Sequence, residues 1–277
     1  MLDTIMLLGT LTVIFLAVGW LVGGVVGMGI ALILAVFINF LTYWYSDRIV
    51  LKMYRAKPLD NMNVSKLVKL LSKEASIPVP KVYLVDSKTP NAFATGRDPR
   101  HSAVAVTKGL LDLPFDELKA VLAHEIAHIR NRDVLVATMA ASLGAAISYL
   151  AQIGYWMIFM GGERKGEGSI IGLVLIVIFA PLAAVLIRMA VSRSCEYRAD
   201  WVGSLMTKQP KALASALRSI SDSARHHPLK HGSSATAHMW IVNPFHRDWF
   251  TKLFATHPPI EKRIERLEGM VIKRGKK

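Results

Sequence analysis

Asp116-Glu117-Leu118-Lys119-Ala120-Val121-Leu122-Ala123-His124-Glu125-Ile126-Ala127-His128-Ile129 reads as one amphipathic helix. Asp116 serves as its cap and Glu117 as its acidic first turn. Leu118, Val121, Leu122 and Ile129 give it an apolar side. Its last third carries H-E-x-x-H. Histidines four residues apart on a helix point to one side, so both imidazoles can grip one ion. Zinc accepts imidazole nitrogen and carboxylate oxygen in a tetrahedral site. Glu125 sits beside the pair without ligating. There it can take a proton from water and return it to a leaving amine.

Two histidines need a third ligand. Glu196-Tyr197-Arg198-Ala199-Asp200 offers E-x-x-x-D, again one helix face. Glu196 would ligate. Asp200 would accept a hydrogen bond from a ligand histidine and fix its tautomer. The same pattern also describes a solvated acidic face, and the choice between the two rests on what lies between the motifs.

The intervening chain is apolar. Val134 to Gly162 carries no charge, nor does Ile170 to Ile187, and the turn between them contains Glu163, Arg164, Lys165 and Glu167. Near the start, no charge occurs between Asp3 and Asp47. A bilayer core of about 30 Å takes about 20 helical residues, so each region holds two spans. Gly23, Gly24 and Gly27 mark the first reversal, Tyr43, Trp44 and Tyr45 an interfacial belt, and Pro181 a kink. Two crossings return the chain to the side it left. Glu196 therefore shares a side with His124 and His128, and the site lies close to the membrane surface.

Composition agrees with insertion. The 277-residue chain is 52% hydrophobic, with a formal net charge of +14 and mean hydropathy of +0.36. A basic excess suits anionic lipid or nucleic acid. The long uncharged runs and the lack of a nucleic-acid motif favour lipid. Arg48, Lys52, Arg55 and Lys57 follow the second span, Arg130 and Arg132 precede the third, and Arg188, Arg193 and Arg198 follow the fourth. By the positive-inside rule, the N-terminus, 47–133 and 188–277 face the cytosol. The N-terminus lacks a signal peptide's basic n-region, so the first segment reads as a retained anchor. The single cysteine, Cys195, rules out an internal disulfide framework.

The resulting fold expectation is α+β and mostly helical. It comprises a transmembrane hairpin in 1–46, a cytosolic part in 47–133, a second hairpin in 134–191 and a second cytosolic part in 192–277. Val64, Leu67, Val68 and Leu71 predict a helix over 63–75. Val82 to Val85, Asn91 to Thr95 and Ser102 to Val106 predict strands. Ala212 to Ser223 and Ile260 to Met270 predict helices, the latter with Pro258-Pro259 at its start. Asn91 reads as a turn residue after Pro90, or as part of an edge strand whose amide donates to a developing oxyanion. His257 reads as a helix cap. His226, His227, His231, His238 and His246 lack ligand spacing and read as surface or flap residues within 221–250.

Taken together, H-E-I-A-H, the hydrophobic hairpin after it, E-Y-R-A-D, the earlier N-A-F-A-T-G and the later T-H-P-P resemble the HtpX-type membrane metalloproteases. These are the bacterial and archaeal branch of the family that includes the type I CAAX prenyl protease. The resemblance covers essentially the whole chain. It implies a zincin-type (gluzincin) domain with one Zn²⁺ held by His124, His128 and Glu196, and Glu125 as general base. It further implies Asn91 on the edge strand over the metal, His257 near the oxyanion, and cleavage of membrane or misfolded proteins at the cell membrane. Processing of lipid-modified peptides, and a non-catalytic membrane scaffold with a retained metal, are the alternatives. Structural zinc sites favour four protein ligands and cysteine, whereas three ligands beside a base favour catalysis. Nucleic acid is not an expected partner, and the sequence does not specify an oligomeric state.

Overall fold

A computed structural model describes residues 2–139, 193–226, 239–242 and 258–272. The 134–191 hairpin therefore lies outside the described residues, save for 134–139, which are helical.

Helix α1 (Leu2–Met53) is broken at Gly23 and Gly24, whose backbones leave helical values. Gly24 adopts φ 57°, ψ −141°, a conformation open to residues without a Cβ. The Asn39 amide reaches Leu8 O at 3.4 Å and Thr12 Oγ1 at 3.1 Å. An unbroken helix would hold Leu8 and Asn39 about 46 Å apart, so the chain reverses at the glycines. The segment Gly23–Met53 is long and apolar enough to cross a membrane, with hydropathy 2.4. Val25, Val26, Ile33 and Val36 on it are exposed, as a lipid-facing helix requires.

A four-stranded mixed sheet follows, built from β1 (Lys57–Pro58), β2 (Lys81–Val85), β3 (Ala92–Asp98) and β4 (His101–Thr107), in the order β1-β2-β4-β3. β2 and β4 are parallel, and the other pairs antiparallel. β1 is too short to leave a sequence signal. Asn91 falls one residue before β3. Its N–H donates to Thr107 Oγ1 at 2.8 Å, and its carbonyl accepts from Thr107 N at 3.0 Å.

Side chains alternate across the sheet. Ala92, Ala94, Val104 and Val106 enter one apolar core with α2 (Met62–Glu74), α4 (Phe115–Asn131), α6 (Pro210–His226) and α7 (Ile260–Glu268). Phe93, Ala103 and Ala105 enter the other with Val50, Leu51 and Tyr54 from the end of α1, and with Trp240. Tyr54, Phe93 and Trp240 meet in tilted and edge contacts with centroids 4.8–5.4 Å apart. The sheet thus joins the apolar helix on one face to the H-E-x-x-H helix on the other. The short α3 (Lys108–Leu111), capped by Thr107, leads into α4.

The N-cap of α4 is Pro114, not Asp116, and no side chain caps it. Asp116 lies in the first turn, where its charge faces the positive end of the helix dipole. The helix stops at Arg132, left-handed at φ 62°, so H-E-x-x-H does not run unbroken into the apolar segment that follows. α5 (Arg193–Thr207) packs across α4. Gly203 permits the approach, since a Cβ there would meet His124 N at 3.0 Å.

Candidate metal centre

His124 and His128 project from α4, and Glu196 and Asp200 from α5. His124 and Glu196 are almost fully buried. The Nε2 atoms of the two histidines are 3.1 Å apart. His128 Nε2 lies 3.5 Å from Glu196 Oε1, and His124 Nε2 lies 3.8 Å from Glu196 Oε2. One donor atom from each of the three residues lies within 4.8 Å of the others.

Each imidazole is backed by a carboxylate. His124 Nδ1 sits 3.0 Å from Asp200 Oδ1. His128 Nδ1 sits 3.4 Å from Asp133 Oδ2. A proton on Nδ1 of each ring, facing its carboxylate, would leave both Nε2 lone pairs free for an ion, although Arg263 Nη2 also lies 3.4 Å from His124 Nε2. Each aspartate is in turn held by an arginine. Arg263, on α7 and fully buried, grips Asp200 with Nε at 2.9 Å and Nη2 at 2.7 Å. Its Nη1 lies 2.8 Å from Glu196 Oε2. Arg198 Nη2 donates to Asp133 Oδ1 at 2.6 Å.

Charge counting tests whether a cation belongs here. The carboxylates of Glu125, Asp133, Glu196 and Asp200 face the guanidiniums of Arg198 and Arg263, which leaves two negative charges in excess. The titration behaviour records the same deficit. Burial, with the Glu196 charge adding to it, raises the Glu125 carboxyl to about 7. Burial alone would lower His128, but Asp133, Glu196 and Glu125 outweigh it and raise the ring to about 9. The excess negative charge is met either by protons on these groups or by a cation. A dication on two imidazoles and a carboxylate would supply the same charge, and those donors suit zinc. His124, in contrast, is lowered by burial, and Asp200 stays below the usual range because Arg263 and His124 outweigh its burial.

Glu125 is buried beside the three donors, and the Ala94 backbone on β3 acts to lower its carboxyl against the effect of burial. Ala92, Ala94 and Gly96 turn their backbone groups to the outer edge of β3. Ala92 O there accepts from Ile241 N at 3.3 Å, and Gly96 N donates to Thr138 Oγ1 at 3.3 Å. Asn91 is fully buried at the start of this edge. Its Nδ2 donates to Val242 O at 2.7 Å, and its Oδ1 accepts from Ala92 N at 3.1 Å. Both ends of the amide are thus engaged away from the histidines. His257, and His227, His231, His238 and His246, lie outside the described residues. His226 sits at the exposed end of α6, with Nδ1 2.8 Å from Asp222 O. Cys195 is half-buried, its sulfur 3.7 Å from Arg198 Nη2.

Sequence reasoning passed over Arg263 and Asp133. Arg263 did leave a signal. It interrupts the apolar stripe of Ile260, Ile264 and Leu267, and a charge on a helix's buried face implies a buried partner. Asp133 left none, because its position depends on the left-handed Arg132 before it.

The profile of peptidase family M48 matches residues 58–271. Proteases described as HtpX homologs from Pyrococcus abyssi and Pyrococcus furiosus are each 48% identical, over 97% and 98% of this chain and 95% and 96% of theirs. The homolog from Sulfurihydrogenibium sp. is 47% identical over 98% of this chain and 96% of its own. Among solved structures, S. mikatae Ste24p aligns with 84% of this chain and 57% of its own, at 18% identity and TM-score 0.49. On the strength of the family profile and its near-full-length relatives, the chain belongs to peptidase family M48, within its HtpX-type branch.

Proposed function

We propose that this chain is a zinc-dependent endopeptidase that hydrolyses membrane or misfolded proteins on the cytosolic side of the cell membrane, in protein quality control. Membership of the HtpX-type branch makes it a membrane-associated peptidase. In this reading His124, His128 and Glu196 hold one zinc ion, and Glu125 is the general base. When bound, the zinc polarises the scissile carbonyl and makes water more acidic. Glu125 takes the proton from that water and delivers it to the departing amine. Asp200 keeps His124 in the tautomer that turns Nε2 inward. An extended substrate would run along the outer edge of β3 in place of the Ile241 and Thr138 contacts to Ala92 and Gly96, and main-chain pairing there would align it over α4. Asn91 and His257 are the proposed oxyanion partners, and Asn91 reaches that role by exchanging its bond to Val242.

The proposed topology is a hairpin in 1–46, a protease part in 47–133, a second hairpin in 134–191 and a second protease part in 192–277. Its support is chemical. Ligands on both sides of 134–191 share one ion if that segment crosses an even number of times, and the basic span ends favour a cytosolic site. The aromatic belt agrees, since Arg97 at the β3–β4 turn stacks over Trp44 with its guanidinium 4.6 Å from the ring.

The observation that supports the function most is the convergence of three donors beside Glu125, two of them buried, each histidine backed by an aspartate. Purified full-length protein in detergent is expected to cleave casein and a detergent-solubilised membrane protein. A chelator should abolish that cleavage, and added Zn²⁺ should restore it. Cleavage that survives metal removal would refute the proposal.

A further inference from the structure

Neither Asp133 nor Arg198 moves a proton in the proposed chemistry, yet Asp133 stands behind His128. Asp133 follows the residue that ends α4, and its N–H donates to His128 O at 3.1 Å. Its carboxylate is shared between two partners. Oδ2 faces His128 Nδ1 at 3.4 Å, and Oδ1 accepts from Arg198 at 2.6 Å. The Asp133 side chain is 13% exposed and that of Arg198 is 53% exposed. An ion pair so open to water adds little to stability, so stability gives it no purpose.

The His124 side shows what such an arrangement does. There Arg263 fixes Asp200, and Asp200 lies against Nδ1 of the histidine. The His128 side repeats the sequence of groups with different residues, near the surface. It also spans the chain in a particular way. Asp133 directly precedes the uncharged run that starts at Val134, and Arg198 follows the run that ends at Ile187. The two ends that bracket the apolar stretch thus meet at the carboxylate facing a proposed ligand.

We infer that Asp133, held in place by Arg198, is a positioning residue for His128. It fixes the imidazole so that Nε2 faces the metal, and it ties that orientation to the two chain ends flanking residues 134–187. The inference rests on the zinc reading of the site. Partners behind metal-bound histidines set ring orientation and basicity, and losing one costs about 10–100-fold in metal affinity.

The test compares Asp133→Ala, Arg198→Met and Arg198→Lys with wild type, all full-length in detergent. Arg218→Met is the control, because it removes an arginine of similar exposure that also pairs with a carboxylate, Glu268, at 2.6 Å. Zn²⁺ affinity is measured by competition with a chromogenic chelator. The visible spectrum of the Co²⁺-loaded protein reports ligand geometry. Asp133→Ala is expected to weaken Zn²⁺ binding about 10–100-fold and to change the cobalt bands. Arg198→Met should weaken it by about three- to fivefold, Arg198→Lys should recover most of that, and Arg218→Met should match wild type. If Asp133→Ala does not fold, Arg198→Met decides alone, since its side chain is half in solvent. Zn²⁺ affinity within twofold of wild type together with an unchanged cobalt spectrum in Asp133→Ala, or in Arg198→Met where Asp133→Ala does not fold, would overturn the inference. A wild-type chain that takes up no zinc would instead overturn the zinc reading, and the role of Asp133 with it.

Discussion

Glu125→Gln is expected to load zinc as wild type does and to cleave protein substrates about 10²–10⁴-fold more slowly. The side chain is 3% exposed and stands beside the three donors without joining them. Burial and the Glu196 charge raise its carboxyl to about 7, while His128, the Ala94 N–H and Arg263 pull the other way. A carboxylate in this position can take a proton from water and release it to the amine, as amide hydrolysis requires. Glutamine keeps the shape and volume of the site, so His124 and His128 stay where they are, but it cannot carry the proton. The check is metal content by mass spectrometry alongside initial rates on casein. More than a tenth of wild-type activity in a zinc-loaded variant would remove Glu125 from the mechanism.

The second large effect falls on Arg263. Arg263→Met is expected to destabilise the metal-free protein by about 3–5 kcal/mol. Methionine replaces most of the apolar stem, so the loss is one of charge. Asp200 loses two charge-assisted hydrogen bonds, and Glu196 loses a partner at 2.8 Å, all in a site closed to water. Arg263→Lys should recover only part of this, since an ammonium cannot reproduce the two-pronged grip on Asp200. Zinc should also recover part in Arg263→Met, by returning positive charge beside Glu196. Thermal or urea unfolding in detergent, with chelator and with zinc, measures both. A metal-free Arg263→Met protein within about 1 kcal/mol of wild type would mean that the buried carboxylates do not depend on this cation.

What the sequence disclosed follows from which interactions are local. Helical spacing exposed α2, α4, α6 and α7 through apolar residues three and four apart. The β-branched alternation of Val82–Val85 and Ser102–Val106 exposed β2 and β4. H-E-x-x-H was legible because both histidines lie on one helix. Glu196 needed a topological argument, since 68 positions separate it from His128 and only an even number of crossings returns it. Ends of elements were the weak point. Asp116 has the residue type of a cap, yet Pro114 takes the place because α3 and its turn already fix where the chain enters α4. The two arginine–aspartate supports were not legible as a set. Arg263 meets Asp200 across 63 positions and Arg198 meets Asp133 across 65, and no periodicity encodes such pairings. The start of β3 was legible as a strand, but the engagement of Asn91 with Val242 depends on a segment 151 residues further on.

One measurement bears most directly on the site itself, namely zinc per chain in purified wild type, Glu125→Gln and Glu196→Ala after equilibration at a low, buffered concentration of free Zn²⁺. If His124, His128 and Glu196 form the site, wild type and Glu125→Gln each carry one zinc and Glu196→Ala carries essentially none. A Glu196→Ala protein that retains a full equivalent of zinc would place the third ligand elsewhere and contradict the account.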